Sequence, residues 1–360
     1  MKRVIIAGHG VYGCRDKFYK FIRAANCPVL LTWKSIGLLD ENDPLYCGRP
    51  GMVGQACNKI IQECDYLLVL GAKMDLEQTA YQLDRLAPNA EKWVVDIDIN
   101  ELNKFPDSWI GIHRDVEQYL DNSEDYISFE YNPEWLAYCN GVNEADPVFN
   151  PDWWNESNPN YYCIIDELSR LAKNTDVIAP EMSTCAQALF QTWKVKEGQE
   201  FIYSGALGSM GSGIPGAIGA ALATGRRVLC PVGDGGFMLN VQELEVIHRL
   251  NLPIKFFVLD NSGYGAIMNT QRAYFNGHFV GSNIESGLTL PDIENVSRSY
   301  GLSTFRLNKN IEVKWLLNEV MSNDNPSVTI MKIPDDFKLA KVVSKKMVDG
   351  KIKPGGFENV

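Results

Sequence analysis

No apolar run in this sequence approaches the twenty residues that a membrane-spanning helix needs, so a membrane protein of that kind is not expected. No CxxC pair occurs among the nine cysteines, and the usual spacing signature of a zinc or dithiol site is therefore missing. Positive charge is in short supply: 34 Lys and Arg stand against 45 Asp and Glu, a net charge of -11. Binding to nucleic acid by counterion release requires clustered Lys and Arg, so nucleic acid is excluded as a partner. The single basic run, Lys338-Leu-Ala-Lys-Val-Val-Ser-Lys-Lys346, reads as a solvated tail. Internal repeats, low-complexity tracts and an N-terminal signal stretch are all lacking. The cysteine count is odd, and Cys64 and Cys230 sit in or beside apolar runs, where Cys behaves as a small buried hydrophobe. These features together lead us to expect a reducing, cytoplasmic setting.

What is present is a chain of 360 residues, long enough for two buried cores. Its first third alternates short apolar runs with helical stretches. Val4–Ala7, Pro28–Thr32, Tyr66–Leu70 and Lys92–Asp98 read as strands, with helices near Lys17–Ala25 and Asn58–Glu63. Alternation of that kind predicts a parallel sheet covered on both faces. Between Ser123 and Tyr161 the period dissolves into Asn, Pro, Glu and Trp. The alternation then resumes, with helices expected at Cys163–Ala172, Gly213–Thr224, Leu239–Leu250 and Asp292–Tyr300. Strands are expected at Asp176–Ala179, Arg227–Val232, Ile254–Leu259 and Ser327–Met331. The fold class is α/β, with two doubly wound parallel-sheet domains. The expected division is 1–122, a linker at 123–160, a second domain at 161–333 and an irregular tail at 334–360.

Gly8-His-Gly-Val-Tyr-Gly13 fits the GxGxxG dinucleotide fingerprint after a strand and before a helix. A true site carries an acidic residue at the end of the next strand, about twenty positions on. Here that strand ends in Thr32-Trp33-Lys34, so NAD is disfavoured and a simple glycine turn is expected. Asp234, within Gly233-Asp-Gly-Gly236, ends one predicted strand, and Asn261 ends the next, 27 positions later. A crossover helix between them places both at the carboxyl edge of a parallel sheet, where ligands bind. A hard divalent cation takes oxygen ligands such as one carboxylate and one amide, and leaves room for phosphate oxygens. A turn plus a helix cap would also explain these residues taken singly; the spacing and strand context favour the metal. Asn261-Ser-Gly-Tyr-Gly265 adds a carbonyl at Gly263. The glycine-rich Ser204–Pro215 stretch precedes the signature and carries Met210, either a gap-filler or a wedge beneath a bound heterocycle.

Three stretches, Gly205–Gly219, Gly233–Leu244 and Leu252–Gly265, closely resemble the acetolactate synthase group of enzymes that use thiamine diphosphate (ThDP, also called thiamine pyrophosphate or TPP). Gly48-Arg-Pro-Gly51, Gly71-Ala-Lys-Met74 and Val95-Asp-Ile-Asp98 are similar to that group's central domain. The resemblance implies that residues 1–122 are the central domain and that the chain from 161 is the diphosphate-binding domain. It implies Mg²⁺ on Asp234, Asn261 and the Gly263 carbonyl. Ser183, Thr184, Gly208, Gly233, Gly235 and Gly236 would line the diphosphate, with Met210, Tyr264 and Gly265 against the rest of the cofactor. The substrate implied is a 2-keto acid such as pyruvate, decarboxylated while ThDP serves as electron sink and transfers the acyl unit. FAD in the central domain is left open but disfavoured, because Lys73 stands where flavin-binding relatives carry Arg, which Lys does not replace at a diphosphate.

The same resemblance implies a pyrimidine-binding domain whose glutamate protonates the cofactor, an acid–base role that needs a positioned carboxyl. Met1 falls just before the first strand of the central domain. No catalytic residue is therefore assigned within this chain, and Glu181 and Glu243, on the phosphate side, do not substitute. The expectation is a split or truncated enzyme component that is completed by a pyrimidine-domain chain or within a homo-oligomer. The alternative is a catalytically inactive cofactor-binding or assembly module. His248 and His278 are given no catalytic role.

Overall fold

The computed structural model describes residues 1–53, 56–79, 82–121, 131–205, 207–342, 345–348 and 351–354. The chain forms two compact units, one of Met1–Val148 with Ala340–Val360 and the other of Phe149–Leu339.

The first unit is built on five parallel strands, β1 (Arg3–Ala7), β2 (Val29–Leu31), β3 (Tyr66–Leu70), β4 (Glu91–Asp96) and β5 (Trp109–His113), in the order β2-β1-β3-β4-β5. Its helices are α1 (Arg15–Ala25), α2 (Asn58–Glu63), α3 (Leu76–Thr79), α4 (Ile99–Leu102), α5 (Val116–Asp121) and α6 (Pro133–Ala145). Strands β1 and β3 are buried along nearly their whole length, as strands covered on both faces must be. Helix α1 buries Phe18, Phe21, Ile22 and Ala25, the i, i+3, i+4, i+7 stripe, and stops at left-handed Asn26. The GxGxxG segment does not open an α-helix. His9–Cys14 winds as a 3₁₀ turn, and the Gly8 and Gly10 amides donate to Leu70 O and Gly71 O, both at 2.9 Å. A methyl at Gly10 would fall 2.9 Å from Gly71 Cα. These glycines let two strand exits touch, and the amides that would hold a pyrophosphate are already used.

The second unit has six parallel strands, β6 (Val177–Ile178), β7 (Glu200–Phe201), β8 (Val228–Gly233), β9 (Ile254–Asp260), β10 (Ser303–Leu307) and β11 (Ser327–Lys332), ordered β10-β11-β9-β8-β6-β7. Around them lie α7 (Tyr161–Leu171), α8 (Thr184–Thr192), α9 (Gly213–Thr224), α10 (Asp234–Leu239), α11 (Leu244–Leu250), α12 (Gly265–Tyr274), α13 (Ile293–Ser299) and α14 (Val313–Met321). Val228, Cys230, Val232, Ile254, Phe256, Val258, Val328 and Ile330 form the centre of its core with Ile214, Ala217 and Phe237. From β6 the chain runs outward to β7 and then returns to β8 on the other side, so the topological switch point lies between β6 and β8. Pro231 sits inside β8, where a central strand usually has an amide. The amides of Val177, Ala179 and Glu181 donate to the carbonyls of Arg227, Leu229 and Pro231. Proline returns no N–H toward β6, and regular pairing there ends at Ile178.

The stretch expected to be a linker contains α6, which belongs to the first unit, and the 3₁₀ turn Pro151–Asn155, which belongs to the second. Residues 123–130 of that stretch lie outside the described residues. The expected Leu239–Leu250 helix is broken into the end of α10, a 3₁₀ turn at Val241–Glu243 and α11. Within the tail, Lys345–Val348 and Lys351–Pro354 pair as two antiparallel strands.

Candidate cofactor site

Strand β8 delivers Asp234 and strand β9 delivers Asn261 to the same sheet edge, since the two strands are parallel and in register through Gly233 and Leu259. Asp234 is 3% exposed. Its Oδ1 accepts the Gly235 amide at 2.7 Å, and its Oδ2 accepts the amides of Asn261 at 3.2 Å and Gly263 at 3.1 Å. Burial pushes this carboxyl up to about 7, the three amides pull it back, and nearby Asp260 adds repulsion. Ser262 adopts left-handed φ 61 to turn the chain beneath the carboxylate. Beside it, Asn261 Oδ1 is buried with no hydrogen-bond partner among the described residues. An orphaned buried acceptor costs about 1–3 kcal/mol. Gly265 makes room for the Asn261 amide, and the Gly263 carbonyl accepts the Gly265 amide at 3.1 Å with a second lone pair left over. A buried carboxylate that has no cationic partner among the described residues, next to an unsatisfied amide oxygen, is a donor set that fits Mg²⁺. Such a cation would restore the ionised form of Asp234.

The β6 exit and the glycine-rich loop meet each other, through Gly208 at Met182 and Gly211 at Glu181. Ser183 stands at φ 69 and ψ -148, a region that costs a non-glycine residue about 1–3 kcal/mol. It is exposed, and Thr184 follows as the first residue of α8. Gly208 is also left-handed, at φ +60, and a methyl there would meet Met182 Cε at 3.3 Å, which ties the Ser183 segment to the loop. In the first turn of α10, Gly235 and Gly236 are both buried. A methyl on Gly235 would lie 2.7 Å from Tyr264 Cδ1 and 2.8 Å from Met210 Cε, so these two side chains flank a bare strip of backbone. Met210 is nonetheless 46% exposed and faces open space.

Beneath the strip is Glu181, a residue that sequence reasoning noted for its location but gave no part. It is 3% exposed, and its Oε1 accepts the Gly211 amide. Gly236 has no side chain where the Glu181 carboxyl lies. Burial pushes this carboxyl up to about 7, against the amides of Gly211, Gly233 and Gly213. Part of the glycine-rich loop's donor capacity is thus spent on the protein itself. The signal was an acidic residue just past β6 at the switch point, in Ala179-Pro-Glu-Met-Ser183.

Two cavities open along the same edge. One of about 280 Å³ is lined by Asp234, Asp260, Ser262 and Arg306 among others. Another of about 430 Å³ is lined by Asn261, Ser262, Met268, Asn283 and Lys332, whose Nζ reaches Ser262 Oγ at 2.7 Å. Of the predicted site residues, Met210, Asp234, Gly235, Asn261, Gly263, Tyr264 and Gly265 are linked by direct contacts. Gly236 adjoins Gly235 and packs on Glu181. Gly208 approaches Met182, which directly precedes Ser183 and Thr184 in the chain. Among the described residues no helix is long and apolar enough to cross a membrane.

Compared with protein-family models, residues 1–122 match the thiamine pyrophosphate enzyme central domain, and residues 182–331 match the thiamine pyrophosphate enzyme C-terminal TPP binding domain. The acetolactate synthase isozyme 1 large subunit of Escherichia coli (strain K12) is 27% identical over 94% of this chain and 60% of its own length. A probable acetolactate synthase large subunit of Methanococcus aeolicus is 28% identical over 94% of the chain and 61% of its length. The acetolactate synthase large subunit of Cyanidium caldarium is 31% identical over 83% of the chain and 52% of its length. The chain thus spans about three fifths of the curated relatives it matches, or somewhat less.

Proposed function

Because this chain belongs to the thiamine pyrophosphate enzymes, with their central and C-terminal TPP binding domains, we propose that it is a component of an acetolactate synthase-like enzyme using ThDP and Mg²⁺. The substrate is a 2-keto acid such as pyruvate, which is decarboxylated and its acyl unit transferred. The observation that carries this reading is the buried Asp234 carboxylate beside the orphaned Asn261 Oδ1, at the edge of two parallel strands.

Asp234, Asn261 and the Gly263 carbonyl would hold the cation. The amides of Asn261 and Gly263 keep Asp234 Oδ2 aimed, so little reorganisation is needed on binding. Gly235 and Gly236 admit phosphate oxygens because they carry no side chains, with Gly233, Ser183, Thr184 and Gly208 around them. Met210 and Tyr264 exclude water from the strip over Gly235, and Gly265 keeps the Asn261 amide in place. When bound, ThDP supplies the electron sink for loss of carbon dioxide from the 2-keto acid. FAD has no part in the proposal, since neither matching family model describes a flavin domain.

Turnover further requires a pyrimidine-binding domain with its activating carboxyl. Titration calorimetry of ThDP with Mg²⁺ tests the core of the reading. The chain is expected to bind, and Asp234→Ala to weaken binding by at least about tenfold, as loss of a metal ligand should. Equal binding by the variant, or none by either protein, overturns it; the second result favours a non-cofactor module. Mixing with a pyrimidine-domain chain is expected to produce pyruvate decarboxylation that this chain alone does not show.

A further inference from the structure

Glu181 is buried, charged in its ordinary form, and unused by the chemistry above. It joins three segments that are far apart in sequence: the β6 exit, the loop ending in Gly211, and the first turn of α10 at Gly236. The peptide around Gly211 is held from both sides. Glu181 Oε1 takes the Gly211 amide, and Asn240 Nδ2 donates to Gly211 O at 2.7 Å. Residues 207–210, just before it, are exposed, and Gly208 N to Ser204 O at 3.2 Å is a loop-to-loop bond that fixes no wall. Met210, next to Gly211, therefore owes its place over Gly235 to the anchored peptide that follows it.

Resting on the ThDP reading, we propose that Glu181 is a positioning residue for recognition of the cofactor's rings. By fixing the Gly211 amide it sets Met210 against the strip over Gly235. The grip on the cation is separate from this device, and at the phosphate wall Glu181 meets only the backbone of Gly233 and Gly236. Asp234 and Asn261 are fixed by the β8–β9 register and by their own amide bonds, and Glu181 makes none of them. Loss of Glu181 consequently weakens binding of the heterocycle far more than binding of the phosphate.

The test is calorimetry with Mg²⁺ and either ThDP or inorganic pyrophosphate, which has the phosphates without the rings. Glu181→Ala is expected to weaken ThDP by about tenfold, or 1.4 kcal/mol, while pyrophosphate changes by no more than about twofold. Met210→Ala should give the same split, and the double variant should be no weaker than the poorer single one, the mark of two residues acting as a unit. Glu181→Gln keeps the shape and is the variant of choice if alanine does not fold; it should show the same split at about threefold. Glu181 variants that bind both ligands like the unaltered chain, or that lose both equally, overturn the proposal. An unaltered chain that binds neither ligand would instead defeat the ThDP reading itself.

Discussion

Glycine at position 236 is a requirement set by Glu181. A methyl there would enter the space of the buried carboxyl, which has backbone on its other sides. Gly236→Ala is expected to destabilise the chain by about 1–3 kcal/mol in thermal unfolding, the usual cost of overpacking, with partial recovery in the Glu181→Ala background. Lys255 offers a second residue-scale test. It is 1% exposed, its Nζ bonds Asn323 Oδ1 at 3.2 Å, and burial followed by the nearby Arg227 charge holds its amine down to about 8. Below pH 8 the folded chain carries a buried charge that the unfolded chain keeps in water. That penalty fades as pH rises from about 8 toward the ordinary lysine value of 10.5. Lys255→Met should thus raise the melting temperature at pH 7, and its advantage should shrink by pH 10. The placement of Asp234 and Asn261 just past two adjacent strand ends was legible in the sequence, because apolar runs and spacing located it. Glu181 was not, because its role is defined by Gly211 and Gly236, which lie 30 and 55 positions away.

Elements were legible where burial imposed a pattern. The buried strands β1, β3, β8, β9 and β11 are apolar runs and were expected close to their observed bounds. Besides the two paired strands of the tail, three strands of the parallel sheets went unread, β5, β7 and β10, and all three are sheet edges. Their residues are largely exposed or half-buried, so neither a continuous run nor a clean alternation marks them. Helix α6 was hidden for a related reason: its buried residues Trp135, Leu136, Cys139 and Val142 are diluted by polar neighbours in an Asn-rich stretch. Pro231 yields the prediction at this scale. Pro231→Ala returns an amide facing Ala179 O and extends the β6–β8 ladder toward the site. Gain of one hydrogen bond, about 0.5–1.5 kcal/mol, is offset by about 0.4–1 kcal/mol from a freer unfolded chain. The melting temperature should barely move, whereas ThDP affinity should fall because residues 180–184 are drawn into the sheet. Unchanged affinity would show that the ladder's early end has no bearing on the cleft.

Across the whole chain, both units have the parallel α/β architecture that the alternation of strands and helices implied. All nine cysteines are free and buried. Burial pushes the thiols of Cys27, Cys47, Cys64 and Cys163 up to about 12 from the ordinary 9.0. Unfolded thiols therefore ionise first as pH rises past 9, while the folded thiols hold their protons. The folded state loses stability across the window from about 9 to about 12. Melting temperatures measured from pH 8 to 10.5 should decline, and replacing Cys27 and Cys47 by Ala should flatten the decline. The distribution of these thiols has a practical consequence. Cys14, Cys27, Cys47, Cys57, Cys64 and Cys139 fall in the first unit, while Cys163, Cys185 and Cys230 fall in the second. A thiol-alkylating reagent can reach each one only after its surroundings open, so mass spectrometry of the labelled peptides would time the opening of each unit separately. Added ThDP and Mg²⁺ should slow alkylation of the second group and leave the first untouched, a footprint of ligand binding that needs no turnover.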